Sequence, residues 1–179
     1  GVFLQLVRAI ERAVAELVEA GIHQRAFADR MRADHQRAVV LVVGGVDLDE
    51  VPDDDIDDAA NLLNYYLKTC VGSLAALEYF ADVTDSDAAR TVVEYLDTYL
   101  EDTDDLLPED EHGYAGLLDD AWMIHNVAYR VHEAGLVPDD YFDVDWQLIA
   151  DGDTALIELL PSGIVDELES FLVQLVGIL

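Results

Sequence analysis

The chain has 179 residues, room for one domain with a sizeable core, and 52% of it is apolar. Against 9 basic residues stand 39 acidic ones, a formal charge of −30, which excludes the basic footprint that direct nucleic-acid binding requires. A disordered acidic tail is poor in aromatic and β-branched residues, and this chain is poor in neither, so it is read as folded.

Phe3, Val7, Ile10, Val14 and Leu17 form a 3–4 stripe that Gly21 closes, which predicts an amphipathic helix of about five turns. A second helix is expected from Ile22 to about Val43, completing an N-terminal helical pair over 1–43. Six arginines fall within residues 1–40, which carry a net +1, while the remaining 139 residues carry −31. The first two helices are therefore expected to be partly covered, by the rest of the fold or by a second subunit.

After a Gly/Pro/Asp loop, Asp53 to Asp55 supply N-cap oxygens and negative charge for a helix from about Ile56 to Phe80, which Gly72 and Ser73 could bend. Thr84-Asp85-Ser86 restarts the chain, and the spacing predicts a helix over Ala88–Glu101. A loop leads to a helix from Leu117 to Ala134, stopped by Gly135. Short helical turns are expected at Gln147–Ala150 and Asp153–Leu160, then a last helix with Pro161 in its first turn. The sum is an all-α, single-domain helical bundle of six to eight helices.

Cys70 is the single cysteine, which suits a reducing compartment and excludes an intrachain disulfide. The longest apolar run, Ala38 to Val46, falls short of the roughly 20 residues a membrane span needs, and no secretory leader pattern is present. With Gly at position 1, the native chain could extend upstream. Dense Asp and Glu with a lone Lys68 point to the cytoplasm of a salt-accumulating halophile, where the Debye length of about 3 Å at 1 M salt suppresses self-repulsion.

Candidate chemistry gathers between Asp104 and Gly135. Asp104, Asp105, Pro108, His112, Gly116, Asp119 and Asp120 form the candidate polar cluster. A helix opening at Gly116 or Leu117 puts Asp119 and Asp120 in its first turn, where the dipole favours carboxylates. Adjacent residues point about 100° apart on a helix, so only one of the two is expected inward, holding loop N–H groups. Metal ligation by these acids stays open, and no cofactor is implied. His125 and His132, seven apart, lack the Glu-x-x-His spacing of di-metal bundles and read as core or interface histidines. No phosphate loop, zinc-protease or nucleophile-elbow motif occurs. Glu16/Glu19 and Glu94/Asp97 are similar to the acidic pairs that hold Mg²⁺ in all-α nucleotide pyrophosphohydrolases.

Asp105-Leu106-Leu107-Pro108-Glu109, followed by Gly116-Leu117-Leu118-Asp119-Asp120-Ala121, resembles the signature of the YkvA-like family, a small helical domain of unknown function also called DUF1232. The resemblance covers about 20 residues and makes Asp105, Pro108, Gly116, Asp119 and Asp120 the signature positions; acidic Glu109 to Glu111 replace apolar ones. The expected function is a non-enzymatic protein-interaction or structural module, a homo-oligomer or bound to a protein partner, with its apolar C-terminal helix as a dimer surface. The alternative is a divalent-metal-dependent hydrolase of phosphorylated small molecules.

Overall fold

A computed structural model describes residues 53–101, 115–159 and 163–178. They form five helices and no strand: α1 (Asp53–Val83), α2 (Asp87–Glu101), α3 (Ala115–Glu133), α4 (Trp146–Leu159) and α5 (Ile164–Val176). The all-α class is thus as the sequence indicated. The expected N-terminal pair, Pro161, and the loop with Asp104, Asp105, Pro108 and His112 lie outside the described residues.

α1 is longer at both ends than its periodicity implied, and it runs unbroken through Gly72 and Ser73. Its buried positions Tyr66, Leu67, Cys70, Val71, Leu74 and Leu77 repeat at three and four, while Lys68, Gly72 and Tyr79 face outward. That stripe packs against α2, α3 and α4. α3 touches all four of the other helices. Every residue from Leu118 to His125 is buried, the pattern of a helix enclosed around its whole circumference. α5 closes the bundle on α2 and α3 through Leu168, Leu172 and Leu175.

The connections are held by side chains. Ser86 Oγ accepts the Ala89 N–H at 3.3 Å and caps α2. At the end of α3, Gly135 adopts φ +70°; its N–H meets the His132 carbonyl and the Leu136 N–H the Val131 carbonyl, a Schellman closure. Asp145 Oδ1 then accepts the Gln147 and Leu148 N–H groups at 2.9 and 3.3 Å, capping α4. Between these caps the loop is pinned to α1 twice. Tyr141 donates its hydroxyl to the Ala76 carbonyl at 2.6 Å, and Tyr65 accepts the Asp145 N–H at 2.7 Å.

One expectation needs correction. The two short turns foreseen between Gln147 and Leu160 are one helix, which passes through Gly152 without a break. The reason is contact: a Cβ at Gly152 would lie 2.3 Å from Cδ2 of Tyr66, so only glycine lets α4 approach α1 this closely. Ile149 and Leu156, seven apart, are both buried as a continuous helix requires. Gly152→Ala gains helix propensity of about 0.5–1 kcal/mol, but forcing a methyl into a packed ring costs roughly 1–3 kcal/mol. Tyr66 is wholly buried and cannot swing aside. The variant is expected to be about 1–2 kcal/mol less stable by urea unfolding in concentrated KCl.

Candidate functional site

Two buried polar clusters lie in the bundle, one foreshadowed by the sequence and one not. The first is at the start of α3. Because α3 opens at Ala115, Gly116 is its second residue, and Asp119 and Asp120 are its fifth and sixth. They sit beyond the first turn, where the free N–H groups and most of the dipole effect are found. The first-turn explanation for these acids therefore fails. So does the expectation that only one of them points inward: both are fully buried. An enclosed helix has no solvent face to give the second carboxylate. Asp119 Oδ2 accepts the hydroxyl of Tyr99, which α2 presents across the interface. The Tyr99 ring packs on Phe171 of α5, with centroids 5.0 Å apart. This cluster thereby ties α2, α3 and α5 together.

The second cluster joins α1, α3 and α4. Tyr66 donates its hydroxyl to Asp153 Oδ1 at 2.5 Å, across 87 residues of sequence. Asn126 Nδ2 reaches the same oxygen at 3.4 Å and bonds the Trp122 carbonyl at 2.9 Å. His125 Nε2 lies 2.7 Å from the Tyr66 carbonyl, an acceptor, so Nε2 carries the proton. Its ring tilts against that of Tyr66 with centroids 4.4 Å apart. Burial holds the imidazole neutral and pushes its pKa down to about 4, against the opposing pull of the Tyr66 carbonyl. Burial pushes Asp153 the other way, up to about 6, with the hydrogen bonds from Tyr66 and Asn126 opposing. Tyr66 itself is raised well above the usual phenol range by burial and by the neighbouring carboxylate.

His132 behaves differently from His125. It stacks on Trp146 at 4.9 Å, 28° from parallel, in an aromatic group with Tyr129 and Phe142 that fastens the end of α3 to the start of α4. Cys70 is buried, donates its thiol to the Leu67 carbonyl, and is held in the thiol form by burial. Its place in the core agrees with a packing role.

Chemically, Asp119, Asp120 and His125 face inward, while Asn126 and Asp153 are partly exposed. His125 has no solvent-exposed atom, so it has no route for exchanging a proton with a substrate while the helices stay packed. Among the described residues, no three His, Cys, Asp or Glu side chains converge as a metal site. A depression of about 420 Å³ lies open on α5 between Asp166, Glu167, Ser170, Phe171 and Gln174, none of which is cationic. Tyr66, Tyr99, Asn126 and Asp153 escaped the sequence reading. Tyr66 and Tyr99 hid within apolar stripes, and Asp153 within a presumed short turn. The seven-residue spacing of Ile149 and Leu156 is the signal that makes α4 one helix and puts Asp153 on its inner side.

No protein-family model, curated protein or solved structure matches the chain.

Proposed function

We propose that this chain is a non-enzymatic helical module that works through protein contacts, including self-association, in the salt-rich cytoplasm of a halophile. The observation that carries this reading is the use of the interior polar groups. Asp119 and Tyr99 link α2 to α3, and Tyr66, His125, Asn126 and Asp153 link α1, α3 and α4, with each contact made to another part of the fold. A catalytic constellation instead leaves its acid, base or ligands open to a cleft. On the outside, Val173 of α5 is 67% exposed and Ile178 beyond it 37%, apolar surface on the helix from which a dimer contact was expected. No described helix is long and apolar enough to cross a membrane. Kinship with the YkvA-like family, proposed on Gly116, Asp119 and Asp120, agrees with this reading in that Asp119 joins α3 to α2.

The test pairs calorimetric Mn²⁺ titration in about 2 M KCl, where diffuse counterion binding is suppressed, with light scattering of the same sample. The expected result is no saturable Mn²⁺ site and a mass above that of one chain. A stoichiometric Mn²⁺ site that disappears in a still-folded Asp119→Asn/Asp120→Asn variant overturns the reading in favour of a metal-dependent hydrolase. A monomer at all concentrations removes self-association from it.

A further inference from the structure

The outer side of α5 is acidic, partly apolar and, among the described residues, uncovered. Leu168, Leu172 and Leu175 turn inward onto α2 and α3. That leaves Asp166 and Val173, seven apart, together on the opposite side. Val173 is 67% exposed, and the depression walled by Asp166, Glu167, Ser170, Phe171 and Gln174 opens on the same helix. The acids of α5 are Asp166, Glu167 and Glu169, all exposed, and the helix has no base. The described lysine and arginines stand on other helices: Lys68 on α1, Arg130 on α3, and Arg90 on α2, where it lies 2.6 Å from Asp87.

The cations that this face lacks are in the sequence before α1. Residues 1–40 hold six arginines, and on the helix expected there Arg30 and Arg37, seven apart, share one side that adjoins Phe27 and Met31. Two copies meeting α5 against α5 would set Asp166, Glu167 and Glu169 against their own kind, and like charges juxtaposed across an interface are strongly unfavourable. We propose that α5 of one copy receives residues 25–37 of a second copy, which returns the same contact by two-fold symmetry. Arg30 and Arg37 meet Asp166 and Glu167, and Phe27 and Met31 cover Phe171 and Val173. This rests on the self-association proposed above and names the surfaces that make it. Reach disfavours the same contact within one chain. α1 and α5 each pack on α2 and α3, so at 8–10 Å between neighbouring axes a helix laid outside α5 stands roughly 24–30 Å from α1. The nine residues from Gly44 to Pro52, which lead into α1, span that distance only when drawn almost straight, at about 3.3–3.6 Å each. A second copy is under no such constraint.

The test is light scattering across a concentration series in about 2 M KCl, where charges in contact are screened much less than distant ones. It compares the wild type with two charge reversals, Arg30→Glu/Arg37→Glu and Asp166→Arg/Glu167→Arg, with far-UV circular dichroism to show that each keeps its helices. The wild type is expected to reach twice the mass of one chain. Each reversal alone sets like charges together at both contacts and should weaken the pair on the order of tenfold or more. Arg30→Gln/Arg37→Gln, which removes charge without reversing it, should weaken it less. Mixed in equal amounts, the two reversals are complementary again at both contacts, and the mixture should recover the wild-type affinity. A wild type that stays monomeric overturns the self-association and this contact with it. A dimer that every variant leaves intact overturns this contact alone. So does a mixture no tighter than either reversal, the result expected if residues 25–37 pack on α5 of their own chain.

Discussion

Asp119→Asn/Asp120→Asn is expected to lower the unfolding free energy by roughly 2–5 kcal/mol, since it alters two fully buried polar side chains, one of them the acceptor of the Tyr99 hydroxyl, and a buried polar group left unsatisfied costs about 1–3 kcal/mol. Both side chains are fully buried, and an asparagine at 119 can bring an NH₂ group against the Tyr99 hydroxyl, which donates to an oxygen there. The bond from Tyr99 makes the mechanism separable. Tyr99→Phe alone removes the donor and leaves the ring against Phe171, so it should cost less than the double replacement. A cycle of Tyr99→Phe and Asp119→Asn should give a coupling of about 1–2 kcal/mol, as residues in direct contact do. Urea unfolding in concentrated KCl measures all four species. A double variant as stable as the wild type would mean that the acids are not structural.

The second large effect is that of salt. Two unit charges 10 Å apart in water repel by about 0.4 kcal/mol without salt, and at 1 M salt, with a Debye length near 3 Å, almost none of that remains. The charge of −30 multiplies such pairs over one small surface. Acids such as Asp85 and Asp87 have fully exposed side chains and gain nothing from burial. Between about 0.1 M and 2 M KCl the midpoint of thermal unfolding is expected to rise by roughly 10–20 °C, at about 2–4 °C per kcal/mol for a chain of this size. Sucrose, which stabilises by exclusion and not by screening, should give a much smaller shift. Equal shifts from KCl and sucrose would count against screening, and with it against the salt-rich cytoplasm proposed above.

Helix identity was legible in this sequence wherever a stripe was unambiguous. Val92, Val93, Leu96, Tyr99 and Leu100 placed α2 to within a residue, and Gly135 marked the end of α3 because a left-handed residue belongs there. What could not be read is what depends on partners far away in sequence. The short turns expected at Gln147–Ala150 and Asp153–Leu160 leave Gly152 between them, where a glycine weakens an isolated helix; Tyr66, 86 residues earlier, makes it the residue that fits. The inward turn of both Asp119 and Asp120 follows from the enclosure of α3 on every side, which no local pattern encodes. Asp104, Asp105, Pro108 and His112 lie outside the described residues, so of the sequence-based cluster only Gly116, Asp119 and Asp120 are placed.

The side chains that fasten α1 have a consequence for the order of assembly. Tyr66 finds its partners 59 and 87 residues later, Tyr65 finds its own 80 later, and the Ala76 carbonyl waits 65 residues for Tyr141. On a ribosome extending the chain at about 5–20 residues per second, α1 emerges and stays without α4 for roughly 4–18 s. During that interval, among the described helices, the stripe of Tyr66, Leu67, Cys70 and Leu74 has only α2, then α3, to cover it. Acidic residues flanking the stripe, among them Glu78 and Asp82, keep nascent copies apart by repulsion until the late helix arrives.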